Sequence, residues 1–300
     1  MHLNKERRHA MQLFHNVSVR AFLSLTLLAT TLGGFTACGK IAKPTPSSPP
    51  TPIDFALVLQ YAQRAALVYE SDQVIQQTAG PGTRITISPS TALGVKAFVE
   101  TDDTKKVQWV VVRGTSNLLN VKLDVDYNKI VDSRAHVPLH KGFADAALQV
   151  YQFVKPLLKP DYEIRVTGHS LGGATAVIVL MLLKEDGLTL GQAMTFGQPK
   201  VTNRDGARKY RALPLLRFVH DKDPVPLLPP LDLFSVLDEG PFQHFGPEVV
   251  LQDGTSYLYY PDHQAERFSV ISFWKTLGNQ QVPDHSIASY IQSIQQKLPH

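Results

Sequence analysis

Tyr162-Glu-Ile-Arg-Val-Thr-Gly-His-Ser-Leu-Gly-Gly-Ala-Thr-Ala-Val-Ile-Val-Leu-Met-Leu-Leu-Lys-Glu185 is the stretch on which the fold turns. Its first six residues include the β-branched Ile164, Val166 and Thr167 and read as a strand, Tyr162–Thr167. Its last fifteen, Leu171–Glu185, are strongly apolar and read as a helix closed by Asp186-Gly187. Between them Gly168-His-Ser-Leu-Gly-Gly173 leaves no room for anything but a tight turn. Glycines on both flanks remove β-carbon clashes, so Ser170 can project its hydroxyl over the end of the strand. The helix that follows aims its free N–H groups and positive dipole end at the same place. From average Gly and Ser usage, G-x-S-x-G is expected by chance about 0.1 times in a chain of this length.

Outward from this turn the chain alternates strands and helices. Asp54–Glu70 has apolar residues at helical spacing. Arg84–Ser88, Gly94–Glu100 and Val107–Arg113 are β-branched runs bounded by turn residues. Phe143–Leu158 reads as a helix, Ala193–Phe196 as a strand, Asn203–Arg211 as a short helix, Leu215–His220 as a strand and Ser286–Lys297 as an amphipathic helix. Alternation of this kind implies a mainly parallel central sheet with helices on both faces. The first strands are open to being an antiparallel extension.

A serine nucleophile is weak by itself and needs a base, which in turn needs an orienting carboxylate. G-x-S-x-G at a strand–helix junction resembles the nucleophile elbow of α/β-hydrolases, where the chain order is Ser, then Asp or Glu, then His. After Ser170 the acids at a strand end are Asp221 and Asp223. The bases beyond them are His244, His263, His285 and His300. Spacing alone does not choose among these.

A wider resemblance does. Val112-Arg-Gly-Thr115, His140-Lys-Gly-Phe143, the Gly-His-Ser-Leu-Gly-Gly turn, Thr195-Phe-Gly-Gln-Pro199, Asp223-Pro-Val-Pro-Leu-Leu-Pro-Pro230 and His244-Phe-Gly-Pro-Glu248 follow one another as in the class 3 lipases. That family holds the fungal-type triacylglycerol lipases and feruloyl esterases. The similarity runs from about Phe55 to Tyr290. It implies an α/β-hydrolase fold with Ser170 as nucleophile, Asp223 as acid and His285 as base, and a non-catalytic His244. It also implies an oxyanion hole made by Leu171 and Thr115, with no metal or organic cofactor. His169 reads as a packed structural histidine. The chain departs from the lipases after Thr115. Leu119–Tyr127 alternates apolar and polar residues like a strand, and Lys122, Asp124 and Asp126 would make a poor lipid-contact face. This segment looks more like the polar lid of feruloyl esterases.

Composition bounds the rest. The chain has 300 residues, 43% hydrophobic and 19% charged, which fits a packed domain and excludes disorder throughout. The formal charge of +4 is concentrated at the N-terminus, where Lys5, Arg7, Arg8 and Arg20 face only Glu6 within residues 1–37. The rest is nearly balanced and gives no support to a nucleic-acid partner. With one cysteine, Cys38, no intramolecular disulfide or cysteine zinc site can form.

The apolar run Ala21–Phe35 is short for a membrane span and suits a signal-peptide core. Thr36-Ala-Cys38 then resembles the lipobox of bacterial lipoproteins, with Phe35 standing where an aliphatic residue is usual. The expected organisation is a signal peptide over 1–37, a proline-rich tether over 38–52 starting at a lipidated Cys38, and a hydrolase domain over 53–300. Gly39 lacks the acidic inner-membrane retention signal, so the resemblance implies anchoring at the outer membrane of a bacterial envelope. The function expected is cleavage of carboxylic esters of lipids through an acyl-enzyme. A phospholipase A1 or feruloyl-type esterase is the alternative of the same chemistry. A non-catalytic envelope lipoprotein using the fold for binding is the alternative of another class. Oligomeric state is not legible.

Overall fold

The computed structural model describes residues 45–89, 94–114, 128–229, 240–261 and 283–299. Thr115, the Leu119–Tyr127 segment, Cys38, His263 and His300 lie outside the described residues.

The chain from Pro44 onward forms one compact unit. Helix α1, Phe55–Leu67, starts where the Asp54 carboxylate accepts hydrogen bonds from the N–H groups of Ala56 and Leu57, both at 3.0 Å. Its buried residues, Phe55, Val58, Tyr61, Ala62 and Ala65, recur at helical spacing and form one stripe. Helix α2, Asp72–Gln77, is short and capped by Ser71. Strands β1 (Thr83–Ile87), β2 (Ala97–Asp102) and β3 (Val107–Val112) follow, each antiparallel to the next.

Two short strands, β4 (Lys129–Val131) and β5 (Pro138–His140), precede helix α3, Lys141–Val154. Strand β6 (Glu163–His169) leads into helix α4, Leu171–Glu185. Then come β7 (Leu190–Phe196), β8 (Thr202–Asn203), helix α5 (Arg204–Tyr210), β9 (Leu215–His220), β10 (Phe242–Gln243), β11 (Glu248–Leu251), β12 (Tyr257–Tyr260) and helix α6 (Ile287–Gln295).

The main sheet has eight strands in the order β1-β2-β3-β6-β7-β9-β11-β12. From β3 to β11 every pairing is parallel, and β12 returns antiparallel. The expected parallel sheet with an antiparallel N-terminal extension is therefore present. Helices α3 and α4 share one apolar cluster, α1 and α6 the other, so both faces of the sheet are covered. Burial on both sides explains why β3, Val-Gln-Trp-Val-Val-Val, shows no alternation: all six residues are buried. Helix α4 is enclosed almost all round, and its twelve consecutive buried residues, Gly172–Leu183, need no polar face.

Helix α2 and strands β11 and β12 are absent from the sequence reading, and three further features differ from it. A second sheet, β10-β8-β5-β4, is built of two- and three-residue strands, too short to carry a period. The helix expected over Phe143–Leu158 ends at Val154 and tightens into a 3-10 turn, Lys155–Leu157, because Pro156 has no N–H to continue the ladder. The segment read as a tether is tied down at one point: the Ser47 N–H donates to the Tyr259 carbonyl at 2.9 Å, a single bridge on the outer edge of β12.

Candidate active site

The strand β6, Ser170 and helix α4 make the turn that the sequence calls for. Ser170 has φ 58° and ψ −133°, a conformation that costs a non-glycine residue on the order of 1–3 kcal/mol. The neighbours hold it there. Its N–H donates to the Phe196 carbonyl at 2.9 Å, and its carbonyl accepts from Gly173 N–H at 2.9 Å. A β-carbon on Gly168 would meet the Gly172 carbonyl oxygen at 2.5 Å, and one on Gly172 would overlap the Val112 carbonyl. The two flanking glycines thus let β6, α4 and β3 close to backbone contact, with the serine at the apex of that closure.

Asp223 and His285, chosen above among two acids and four histidines, meet in space. His285 Nδ1 lies 2.7 Å from Asp223 Oδ2, with both side chains buried. The same oxygen accepts from the Tyr290 hydroxyl at 2.7 Å, and Oδ1 accepts from Val225 N–H at 2.9 Å. The Tyr290 hydroxyl accepts from His220 N–H at 3.0 Å. Burial, and then the Asp223 charge, raise the Tyr290 phenol far above its ordinary value. Tyr290 therefore stays a donor and the carboxylate keeps its hydrogen bond. With Asp223 on Nδ1, the ring presents Nε2 away from the carboxylate.

The Oγ of Ser170 and the Nε2 of His285 are buried, and neither has a hydrogen-bond partner among the described residues. Leaving a buried polar group unpaired costs about 1–3 kcal/mol, and such groups concentrate where chemistry is done.

The other candidates separate cleanly. Asp221 is partly exposed and faces His220 Nδ1 at 3.6 Å. His244 is buried and bonded through Nε2 to the Pro226 carbonyl at 2.8 Å, a loop contact. Leu171 follows the serine as the first residue of α4, so its N–H lies in the helix's opening turn. His169 is buried and bonded at both ring nitrogens, as a packed histidine should be.

Sequence reasoning missed Tyr69 and Gly197. Tyr69 lies 100 residues from the His169 that it bonds, with no local signal. Gly197 appears in the quoted Thr195–Pro199 segment, but only packing shows that it faces the Asp223–His285 pair. Among the described residues no group of three or more His, Cys, Asp or Glu is arranged to hold a metal ion, and no helix is long and apolar enough to cross a membrane.

A mainly parallel sheet, helices on both faces and a serine at the sharp turn between β6 and α4 define an α/β-hydrolase fold. The family model described as lipase (class 3) matches residues 109–233. A secreted mono- and diacylglycerol lipase of Fusarium solani is 33% identical over 180 residues, covering 55% of this chain and 50% of the relative. A lipase of Rhizomucor miehei is 32% identical over 172 residues, covering 53% and 46%. The chain spans about half the length of these curated relatives. The crystal structure of a lipase from Rhizopus microsporus var. chinensis superposes with a TM-score of 0.63 at 25% identity, over 81% of this chain and 93% of that one. The chain is thus similar to class 3 lipases over part of its length.

Proposed function

We propose that this protein is a serine hydrolase that cleaves carboxylic esters of lipids through an acyl-enzyme. The observation that carries the reading is the buried Asp223–His285 pair at 2.7 Å, in the same fold as a Ser170 held at the strained β6–α4 turn. Ser170 Oγ attacks the ester carbonyl while His285 Nε2 takes its proton. Asp223 keeps the proton on Nδ1 and stabilises the imidazolium that forms. The developing oxyanion is held by the N–H of Leu171 and by Thr115. His285 then protonates the leaving alcohol and activates the water that releases the acid.

Acylglycerols are the substrate class favoured by the relatives, which include mono- and diacylglycerol lipases. Ser170→Ala tests the reading. In the full chain it should lower turnover of a p-nitrophenyl butyrate at least about 10³-fold with unchanged thermal stability. Near wild-type turnover would end the assignment.

The same proposal includes the N-terminal address. Cys38 carries the lipid anchor, after removal of residues 1–37, and holds the enzyme at the outer membrane of a bacterial envelope. The support is the small-residue run before the only cysteine and the proline-rich segment after it. Several acyl chains, at about 0.8 kcal/mol per buried methylene, would make the attachment stable. Palmitate labelling that is equal in wild type and Cys38→Ser would overturn it.

A further inference from the structure

The elbow histidine and a distant tyrosine form a continuous hydrogen-bonded line through the site. Tyr69 lies just past the end of α1, and its hydroxyl is 3.1 Å from His169 Nδ1. His169 Nε2 is 2.6 Å from the main-chain carbonyl of His285. On its other side the Tyr69 hydroxyl packs against Gly114, at the exit of β3. The packing there is close: a β-carbon on Gly114 would lie 2.5 Å from that hydroxyl and 2.7 Å from the His169 carbonyl.

Only one arrangement of protons satisfies all these atoms. A carbonyl can only accept, so His169 carries its proton on Nε2. Nδ1 is then an acceptor, and the Tyr69 hydroxyl must donate to it. Burial keeps both side chains in these forms. It pushes the Tyr69 phenol up to about 12, opposed by the Gly114 main chain and the Arg113 charge. Burial, and next the neighbouring His285, push the His169 imidazole down to about 3. The groups facing His169 are Tyr69, His285, with ring centroids 4.7 Å apart, and the Tyr290 ring at 6.1 Å. A neutral His169 offers no charge to repel the imidazolium that His285 becomes during turnover.

We propose that Tyr69 and His169 are positioning residues: a strut from Gly114 to the His285 carbonyl that fixes the base from behind while Asp223 fixes it by its ring. A base gripped at two separate points keeps Nε2 within the small angular range that proton transfer demands. The proposal rests on the ester-hydrolase reading for its kinetic arm only.

Three variants of the full chain test it. Tyr69→Phe removes the hydroxyl alone. His169→Gln keeps a donor that reaches the His285 carbonyl and loses the Tyr69 link. His169→Asn keeps an acceptor for Tyr69 and loses the donor. On a short-chain p-nitrophenyl ester, Tyr69→Phe should lower kcat about 5- to 50-fold with KM within about twofold. The limb of the kcat–pH profile that reports His285 should shift, and His169→Asn should be worse than His169→Gln. Unchanged kcat in Tyr69→Phe, a change confined to KM, or equal losses in Gln and Asn would overturn the strut. A second readout needs no activity. The far-downfield proton resonance of the His285–Asp223 hydrogen bond should move or broaden in Tyr69→Phe, and an unmoved signal overturns the proposal. Absence of ester turnover in the wild type would defeat the hydrolase reading instead, and the resonance would still decide on the strut.

Discussion

Gly197 and His285 touch across the site: a β-carbon built on the glycine would lie 2.9 Å from Cε1 and 3.0 Å from Nδ1 of the imidazole, and 2.8 Å from Asp223 Oδ2. The position also has φ +59°, which a side chain rarely adopts. Gly197→Ala therefore meets two costs, backbone strain of about 1 kcal/mol and displacement of the acid–base pair. The expected outcome is a loss of stability of about 1–3 kcal/mol by urea denaturation. The drop in kcat should exceed what the folded fraction explains. Full activity per folded molecule would show that the ring has room to move.

The two candidate acids and the two described candidate bases predict opposite behaviour in pairs. Asp223→Asn removes the carboxylate that bonds His285, Tyr290 and Val225, and kcat should fall by about 10³–10⁴. Asp221→Asn alters a partly exposed side chain and should stay within about threefold of wild type. His285→Ala should abolish turnover. His244→Ala should chiefly lower the melting temperature, because it releases a buried contact to Pro226. Inactivity of Asp221→Asn beside an active Asp223→Asn would reassign the acid.

Acid should destabilise the fold through His169. Its folded pKa, about 3, lies below the ordinary histidine value of 6.5, so between these values the unfolded chain binds the extra proton. Stability from this group is complete above about pH 6.5 and falls as the pH drops toward 3, by up to about 1.4 kcal/mol per pH unit. His169→Gln cannot take up that proton. Comparing urea unfolding at pH 7.5 and pH 5, the wild type should lose more stability than His169→Gln. Equal losses would mean that His169 titrates normally.

Arg217 and Glu248 pair at 2.8 Å as register partners on β9 and β11, with side chains only 2% and 7% exposed. Arg217→Met leaves the Glu248 carboxylate buried without its guanidinium and should cost about 3–5 kcal/mol. Replacing both, Arg217→Met with Glu248→Leu, should recover most of that loss in chemical denaturation. A double variant as unstable as the single one would mean that packing, not charge, holds this pair.

How far the sequence carries is visible in individual elements. Leu171–Glu185 and Leu215–His220 have the same limits in the sequence reading and in the structure, because an uninterrupted apolar run and clear stop signals bound them. The strands Thr202–Asn203 and Phe242–Gln243 pair with each other from distant parts of the chain and are too short to leave a periodic trace. Ser170 was legible from its glycines. Asp223 and His285 were not legible from spacing, since their partnership spans 62 residues and rival acids and histidines lie in the same order. Resemblance selected them, and the geometry brings them together. Tyr69 was beyond reach, because nothing near it in the chain records the hydroxyl's destination across the sheet.

The Ser47–Tyr259 bridge has a meaning for how the molecule behaves among its own copies. An open outer strand such as Tyr-Leu-Tyr-Tyr260 is a template on which a second chain can pair. Ser47 occupies it from a segment, Pro44-Thr-Pro-Ser-Ser-Pro-Pro-Thr-Pro52, in which five of nine residues are prolines and have no N–H to offer to a further strand. At this edge of the sheet the bridged segment is a poor template for a further strand. A version of the protein cut back to Ile53 should therefore associate at concentrations where the longer chain remains dispersed, as light scattering would record. The proline run then serves as a selvedge.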